Sequence, residues 1–126
     1  MNKALLVFLA SALLVAIGLS AAEKTATWEG TLVDANCYLK DNSLTGNDHM
    51  GVKECGTMCL KSGLPAGLLT KDKRFHAIIA PSLALAPYVG QQVRISGSLH
   101  SGAILAEKAE VQKNGKWEAI NIKAMM

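Results

Sequence analysis

The stretch ATWEGTLVD, residues 26–34, decides the fold. In it Ala26, Trp28 and Leu32 alternate with a mostly polar row, and Gly30 takes the remaining place among the apolar residues. This period of two predicts a β-strand that ends near Asp34. A glycine inside an apolar row is typical of a bulge or of a tight bend in a small barrel. We therefore expect this strand to begin a closed or nearly closed sheet.

Similar patterns follow downstream. Alternation and turn residues predict a hairpin over residues 67–80 and strands over 92–99, 103–112 and 116–123. Asn114-Gly115 is the strongest hairpin signal in the chain, and the segment 81–88, which begins with proline, is typical of a short helix. Closure removes exposed edges from a sheet of this size. The predicted fold class is mainly β, a small antiparallel β-barrel of the oligonucleotide-binding (OB) type with one α-helix between strands 1 and 2.

The first 22 residues have the three parts of a secretory signal peptide. Lys3 supplies a positive charge, an apolar run follows over residues 4–19, and Ser20-Ala21-Ala22 provides small residues for cleavage after Ala22. The run is short for a membrane span. We expect a periplasmic or secreted protein with a single OB-like domain over residues 23–126 and no membrane attachment after cleavage.

Charge and aromatic content argue against a nucleic-acid partner. The chain has 13 Lys and Arg against 10 Asp and Glu side chains, and loss of Lys3 with the leader lowers the net charge from +3 to +2. It has only two Trp, two Tyr and two Phe, whereas binding to single strands needs stacking aromatics beside a basic groove. We expect no nucleic-acid binding.

The stretch between the first strand and the hairpin holds all three cysteines. Asn47 or Asp48 as N-cap and Gly63 as C-cap predict a helix over residues 49–62. Cys55 and Cys59 then lie one turn apart on one face. Their Cβ atoms would be about 5–6 Å apart, more than an unstrained disulfide allows.

Two thiolates at this separation suit a soft metal ion. Cys37, at the end of the first strand, and His49, at the predicted helix start, complete a Cys3His set with Cys55 and Cys59, which fits zinc or copper(I). Asp34 is expected to orient His49 or Cys37 without binding the ion. The other two histidines, in a predicted strand and a predicted turn, are expected to face solvent.

Two other uses of the cysteines remain open. A disulfide from Cys37 to Cys55 or Cys59 would stabilise a binding or scaffold module without metal, and leave one thiol over. Alternatively, Cys55 and Cys59 would act as a thiol redox pair. The chain has no nucleophile elbow, phosphate loop or dinucleotide fingerprint, so an enzyme is the less expected class.

The order Asp34-x-x-Cys37, His49, Cys55-x3-Cys59, followed by Gly63-x-Pro65 and residues 92–97, resembles a family of small exported bacterial proteins with an OB-like barrel. That resemblance covers essentially the whole mature chain and implies fold and site, but no activity. Cys-x3-Cys with a distant histidine also resembles the copper site of Sco-type cytochrome oxidase assembly proteins, locally only. The expected partners are a metal ion and, as a second class, another exported protein.

Overall fold

The computed structural model describes residues 24–123, so the predicted signal peptide lies outside the described residues. Within this range, strands dominate and the helices are short. The elements in chain order are β1 (Ala26–Asp34), α1 (Ala35–Lys40), α2 (Cys55–Lys61), β2 (Ala66–Thr70), β3 (Phe75–Ile79), α3 (Ser82–Leu85), a 3-10 turn (Ala86–Tyr88), β4 (Gln92–His100), β5 (Ala103–Lys113) and β6 (Lys116–Ile120).

The strands pair in a ring. β1 lies between β2 and β4 and is antiparallel to both, and β2 pairs with β3 and β4 with β5 in the same way. The first part of β5 then pairs with β3, in parallel, which joins the two ends of the sheet. β6 continues along β5 beyond that point. The mainly β, OB-like class is confirmed, while the expectation that all neighbours are antiparallel is wrong for β3 and β5.

Two glycines permit the close approach of neighbouring strands. A Cβ atom on Gly30 of β1 would overlap the backbone carbonyl of Leu69, and one on Gly97 of β4 would overlap that of Leu105. The pairing of β4 with β5 also shifts register next to Gly97, which marks a bulge. Glycines and bulges at such places let a sheet bend sharply, so Gly30 has the role that its place in the sequence predicts.

Aliphatic side chains fill the ring. Leu32, Leu68 and Ile95 from three different strands are fully buried in one cluster. Leu60 of α2 and Leu85 of α3 belong to the same cluster and are equally buried. Burial of a leucine side chain contributes about 1.5–3 kcal/mol, so Leu60 anchors α2, with its two cysteines, to the core of the sheet.

The predicted three-turn helix over residues 49–62 is wrong, and so is the expectation of one helix between strands 1 and 2. The structure has two short helices there, α1 and α2. Met50, Gly51 and Glu54 have positive φ angles of 49°, 80° and 52°, which a right-handed helix does not allow. Residues 49–52 instead form an isolated antiparallel bridge. The predicted end of the helix is correct, since Gly63 follows it with φ of 94°.

The side chains of β3 face the opposite way from the expectation. The histidine of this strand, His76, was expected to face solvent, yet His76 and Ile78 are its buried residues, and Phe75 lies in the other row. The Phe75 side chain packs outside the sheet because it has a partner there. Its aromatic ring stacks on that of Tyr38 in α1, with 5.3 Å between the ring centroids. His76 also has a hydrogen-bond partner inside the fold, because its Nδ1 lies 2.9 Å from the carbonyl oxygen of Gly102.

The remaining connections follow the sequence. Asn114 and Gly115 both have positive φ, 51° and 74°, as a type I′ hairpin turn requires. The last strand is shorter than predicted and ends at Ile120. Among the described residues, no helix is long and apolar enough to cross a membrane.

Candidate metal centre

Asp34 is the last residue of β1 and the N-cap of α1. Its Oδ1 accepts hydrogen bonds from the backbone N–H groups of Asn36 (2.9 Å) and Cys37 (3.3 Å). An aspartate in this position stabilises a helix start and here holds Cys37 in the first turn of α1. The other oxygen, Oδ2, is buried and has no hydrogen-bond partner of ordinary geometry.

His49 lies in the loop before α2 and is fully buried. Its backbone is held by paired hydrogen bonds with Val52, of 3.0 and 2.8 Å. Its Nε2 lies 2.8 Å from the carbonyl oxygen of Gly46. A carbonyl oxygen only accepts, so Nε2 carries the proton and Nδ1 carries the lone pair. That Nδ1 is buried and has no hydrogen-bond partner.

The start of α2 is held by residues that precede it by several positions. Asp48 accepts a hydrogen bond from the backbone N–H of Glu54 (2.8 Å), and the Asn47 side chain accepts one from that of Thr57 (2.8 Å). The Asn47 carbonyl also accepts one from Gly56 (2.9 Å). These bonds satisfy N–H groups that a helix start leaves without partners. The residues predicted to cap the helix therefore do hold it, by folding back over its first turn.

A second contact fixes α2 from the other side. The Thr57 hydroxyl donates a hydrogen bond of 2.9 Å to the carbonyl oxygen of Ala86. Gly56 faces Val89 so closely that a Cβ atom on this glycine would lie 2.6 Å from Cγ1 of the valine. α2 is thus clamped between the loop before it and the segment after α3, and Cys55 and Cys59 are held with it.

The predicted ligand residues come together as two overlapping groups. One ligand atom from each of Cys37, His49 and Cys55 lies within 4.8 Å of the other two. The same holds for Asp34, Cys37 and Cys59. Cys37 belongs to both groups. A zinc ion with bonds of about 2.0–2.3 Å has its ligand atoms roughly 3.5 Å apart, so the atoms of either group would close by at most about 1.3 Å around an ion.

Two of the thiols are held in their protonated form. Burial, followed by the hydrogen bond and charge of Asp34, raises the pKa of Cys37. The same causes in the same order raise the pKa of Cys59 to about 12. Since the thiolate is the nucleophile, these two thiols are unreactive at neutral pH. A metal ion would have to displace their protons on binding.

The three cysteines are free thiols in the structure, and no pair of them is at disulfide bonding distance. All three are partly buried. Their assembly with His49 therefore does not depend on a disulfide in this conformation.

Two parts of the site were not foreseen from the sequence. Asp34 was expected to orient His49 or Cys37, yet one of its carboxylate oxygens lies within 4.8 Å of the sulfurs of Cys37 and Cys59. The carbonyl of Gly46, which selects the protonation form of His49, leaves no signal in side-chain types. His76 was expected in solvent but is buried, with its Nε2 unpartnered. The signal that was available for Asp34 is its position directly before a short helix.

Comparison with known proteins adds no relative from which a function could be transferred. No family model, curated protein or solved structure matches the chain. The case for function therefore rests on the geometry of the site.

Proposed function

We propose that this chain is an exported protein that binds a thiophilic metal ion, zinc or copper(I), through Cys37, His49, Cys55 and Cys59. The role of the ion is structural or one of metal handling. Export is supported by the form of residues 1–22, and the ion would explain how three thiols are kept in an oxidising compartment.

The observation that carries this proposal is the bare Nδ1 of His49. An imidazole nitrogen without a partner in the protein interior loses the hydrogen bond that it would have with water, at a cost of about 1–3 kcal/mol. A ring nitrogen of His49 also lies within 4.8 Å of the sulfurs of Cys37 and Cys55. Metal-binding histidines commonly donate their other ring N–H to a carbonyl, as His49 does to Gly46. The donor set and its protonation form both match a metal ligand.

The two alternative uses of the cysteines receive less support. A disulfide would satisfy two sulfurs but would leave the nitrogen of His49 without a partner. A redox pair, with Cys55 as the nucleophile and Cys59 as the resolving thiol, would likewise leave that nitrogen without a partner. Neither alternative explains why a histidine is buried beside the thiols.

Metal titration tests the proposal. Protein produced from the full-length sequence is purified under reducing conditions and titrated with zinc, and separately with copper(I), against a chromophoric chelator. We expect tight binding of at least one of these ions. Cys55→Ser and His49→Gln should each weaken it at least about tenfold. Cys55→Ser is nearly isosteric, so it separates loss of a ligand from loss of the fold.

His100→Gln is the matched control, because this histidine lies outside both groups of ligand atoms. It should leave the affinity unchanged, with circular dichroism used to compare the fold of all variants. A wild-type protein that cannot compete with the chelator for either ion would contradict the proposal. So would an affinity that does not change in Cys55→Ser and His49→Gln.

A further inference from the structure

Asp34 is a fully buried carboxyl group that has no cationic side chain paired with it among the described residues. Its relative exposure is 0%. Oδ1 accepts the two N–H groups of α1, and apart from the thiols of Cys37 and Cys59 the carboxyl group has no further hydrogen-bond donor. Within residues 24–123, none of the ion pairs involves this residue. Buried carboxylates in proteins are as a rule paired with a cationic side chain or bound to a metal ion, so Asp34 is a candidate metal ligand.

The neighbours of Asp34 are other side chains that can bind a metal ion. The sulfurs of Cys37 and Cys59 each lie within 4.8 Å of a carboxyl oxygen and of each other. Cys37 also belongs to the group with His49 and Cys55. An ion held by that first group fills three places of a tetrahedral shell and has one left. Asp34 is the carboxylate donor that shares Cys37 with this group.

We infer that Asp34 is a direct ligand of the ion, in the fourth place that the proposed function gives to Cys59, and that it makes the site selective for a divalent ion of the zinc type over copper(I). The inference rests on the proposed metal site and names which ion the site takes. It differs from the expectation that Asp34 only orients another ligand.

The chemistry of the two ions supports this choice. Zinc binds carboxylate oxygen as readily as nitrogen or sulfur, at about 2.0–2.2 Å. Copper(I) is selected by soft thiolate and thioether ligands, and carboxylates suit harder ions. A divalent ion also gains more than a monovalent one from an additional negative charge at the same distance. An oxygen ligand thus adds affinity for zinc and little for copper(I).

The variant Asp34→Asn tests this inference with little change of shape. Asparagine is as good an N-cap as aspartate, so the hydrogen bonds that begin α1 are kept while the charge is removed. We expect the dissociation constant for zinc to rise about 10–100-fold and that for copper(I) to change by less than about threefold. In the cobalt(II)-loaded protein, the d–d absorption bands should shift when an oxygen ligand is lost.

Asp48→Asn is the matched control. This carboxylate also accepts a backbone N–H in the same segment, from Glu54, but belongs to neither group of ligand atoms. It should leave both affinities unchanged. An equal loss of zinc and copper(I) affinity in Asp34→Asn, or an unchanged zinc affinity, would overturn the inference while leaving the metal site in place. A wild-type protein that binds neither ion would instead overturn the proposed function.

Discussion

The packing of α2 against the segment after α3 can be tested by Gly56→Ala. In a free helix this change is stabilising by about 1 kcal/mol. Here the new Cβ atom would lie 2.6 Å from Cγ1 of Val89 and 3.1 Å from Oδ1 of Asn47, whereas carbon atoms pack at about 3.5–4.0 Å. α2 would have to move by roughly 1 Å. Overpacking of this kind costs about 1–3 kcal/mol, so we expect a net loss of about 1 kcal/mol.

Val89→Ala removes the obstructing methyl group and completes a double-mutant cycle. In that background Gly56→Ala should become neutral or stabilising, with a coupling energy of about 1–2 kcal/mol. Urea unfolding of the four proteins without metal measures it. Gly46→Ala is the control, since a Cβ at Gly46 would meet nothing within 4 Å, and it should change stability by less than about 0.5 kcal/mol. The packing account is refuted if Gly56→Ala has the same effect in both backgrounds.

Two further predictions concern pH. Because the pKa values of Cys37 and Cys59 are raised, metal binding must release their protons. The affinity for zinc should therefore rise from pH 6 to pH 8, and calorimetry in two buffers should detect the released protons. An affinity for zinc that does not change with pH would contradict this prediction. The hydrogen bond from Arg94 lowers the pKa of Glu110 below its ordinary 4.5, so this pair stabilises the fold above that pH and less as the pH falls. Glu110→Gln should therefore lower the urea midpoint at pH 7 more than at pH 4, and more than the exposed Glu118→Gln does; equal effects at both pH values would contradict the role of the pair.

The sheet was predictable because its signals are local. Alternation of apolar and polar residues marks a strand whatever lies elsewhere in the chain, and Asn114-Gly115 specifies its turn by backbone preference alone. Gly30 indicated curvature because few other reasons place glycine in an apolar row. The parallel contact of β3 with β5 has no local signal, since it joins segments whose pairing depends on closure of the whole ring.

The segment between β1 and β2 was harder to predict because its backbone depends on tertiary contacts. Met50 and Glu54 adopt positive φ angles, which are uncommon for such residues and cannot be inferred from their types.

The row of β3 that faces inward depends on the stacking of Phe75 with Tyr38, a contact between distant segments. Pattern alone cannot choose between an aromatic ring inside and one covered by a helix outside.

The candidate site was predictable where its residues are close in sequence, and not where it depends on tertiary contacts. The thiols and His49 are close in sequence, so their residue types alone indicate a metal site. The additional oxygen of Asp34 depends on where the end of β1 meets α2. Residue types identify a set of possible metal-binding atoms, whereas the structure shows which of these atoms are buried without a hydrogen-bond partner.

X-ray absorption at the zinc edge, on protein loaded with one equivalent of zinc, tests the metal site most directly. The account predicts a mixed first shell, with two or three sulfur atoms at about 2.3 Å and nitrogen or oxygen at about 2.0–2.2 Å. Cys55→Ser should remove one sulfur from that shell. A shell of oxygen and nitrogen alone in the wild-type protein would contradict the account, because the ion would then lie away from Cys37, Cys55 and Cys59.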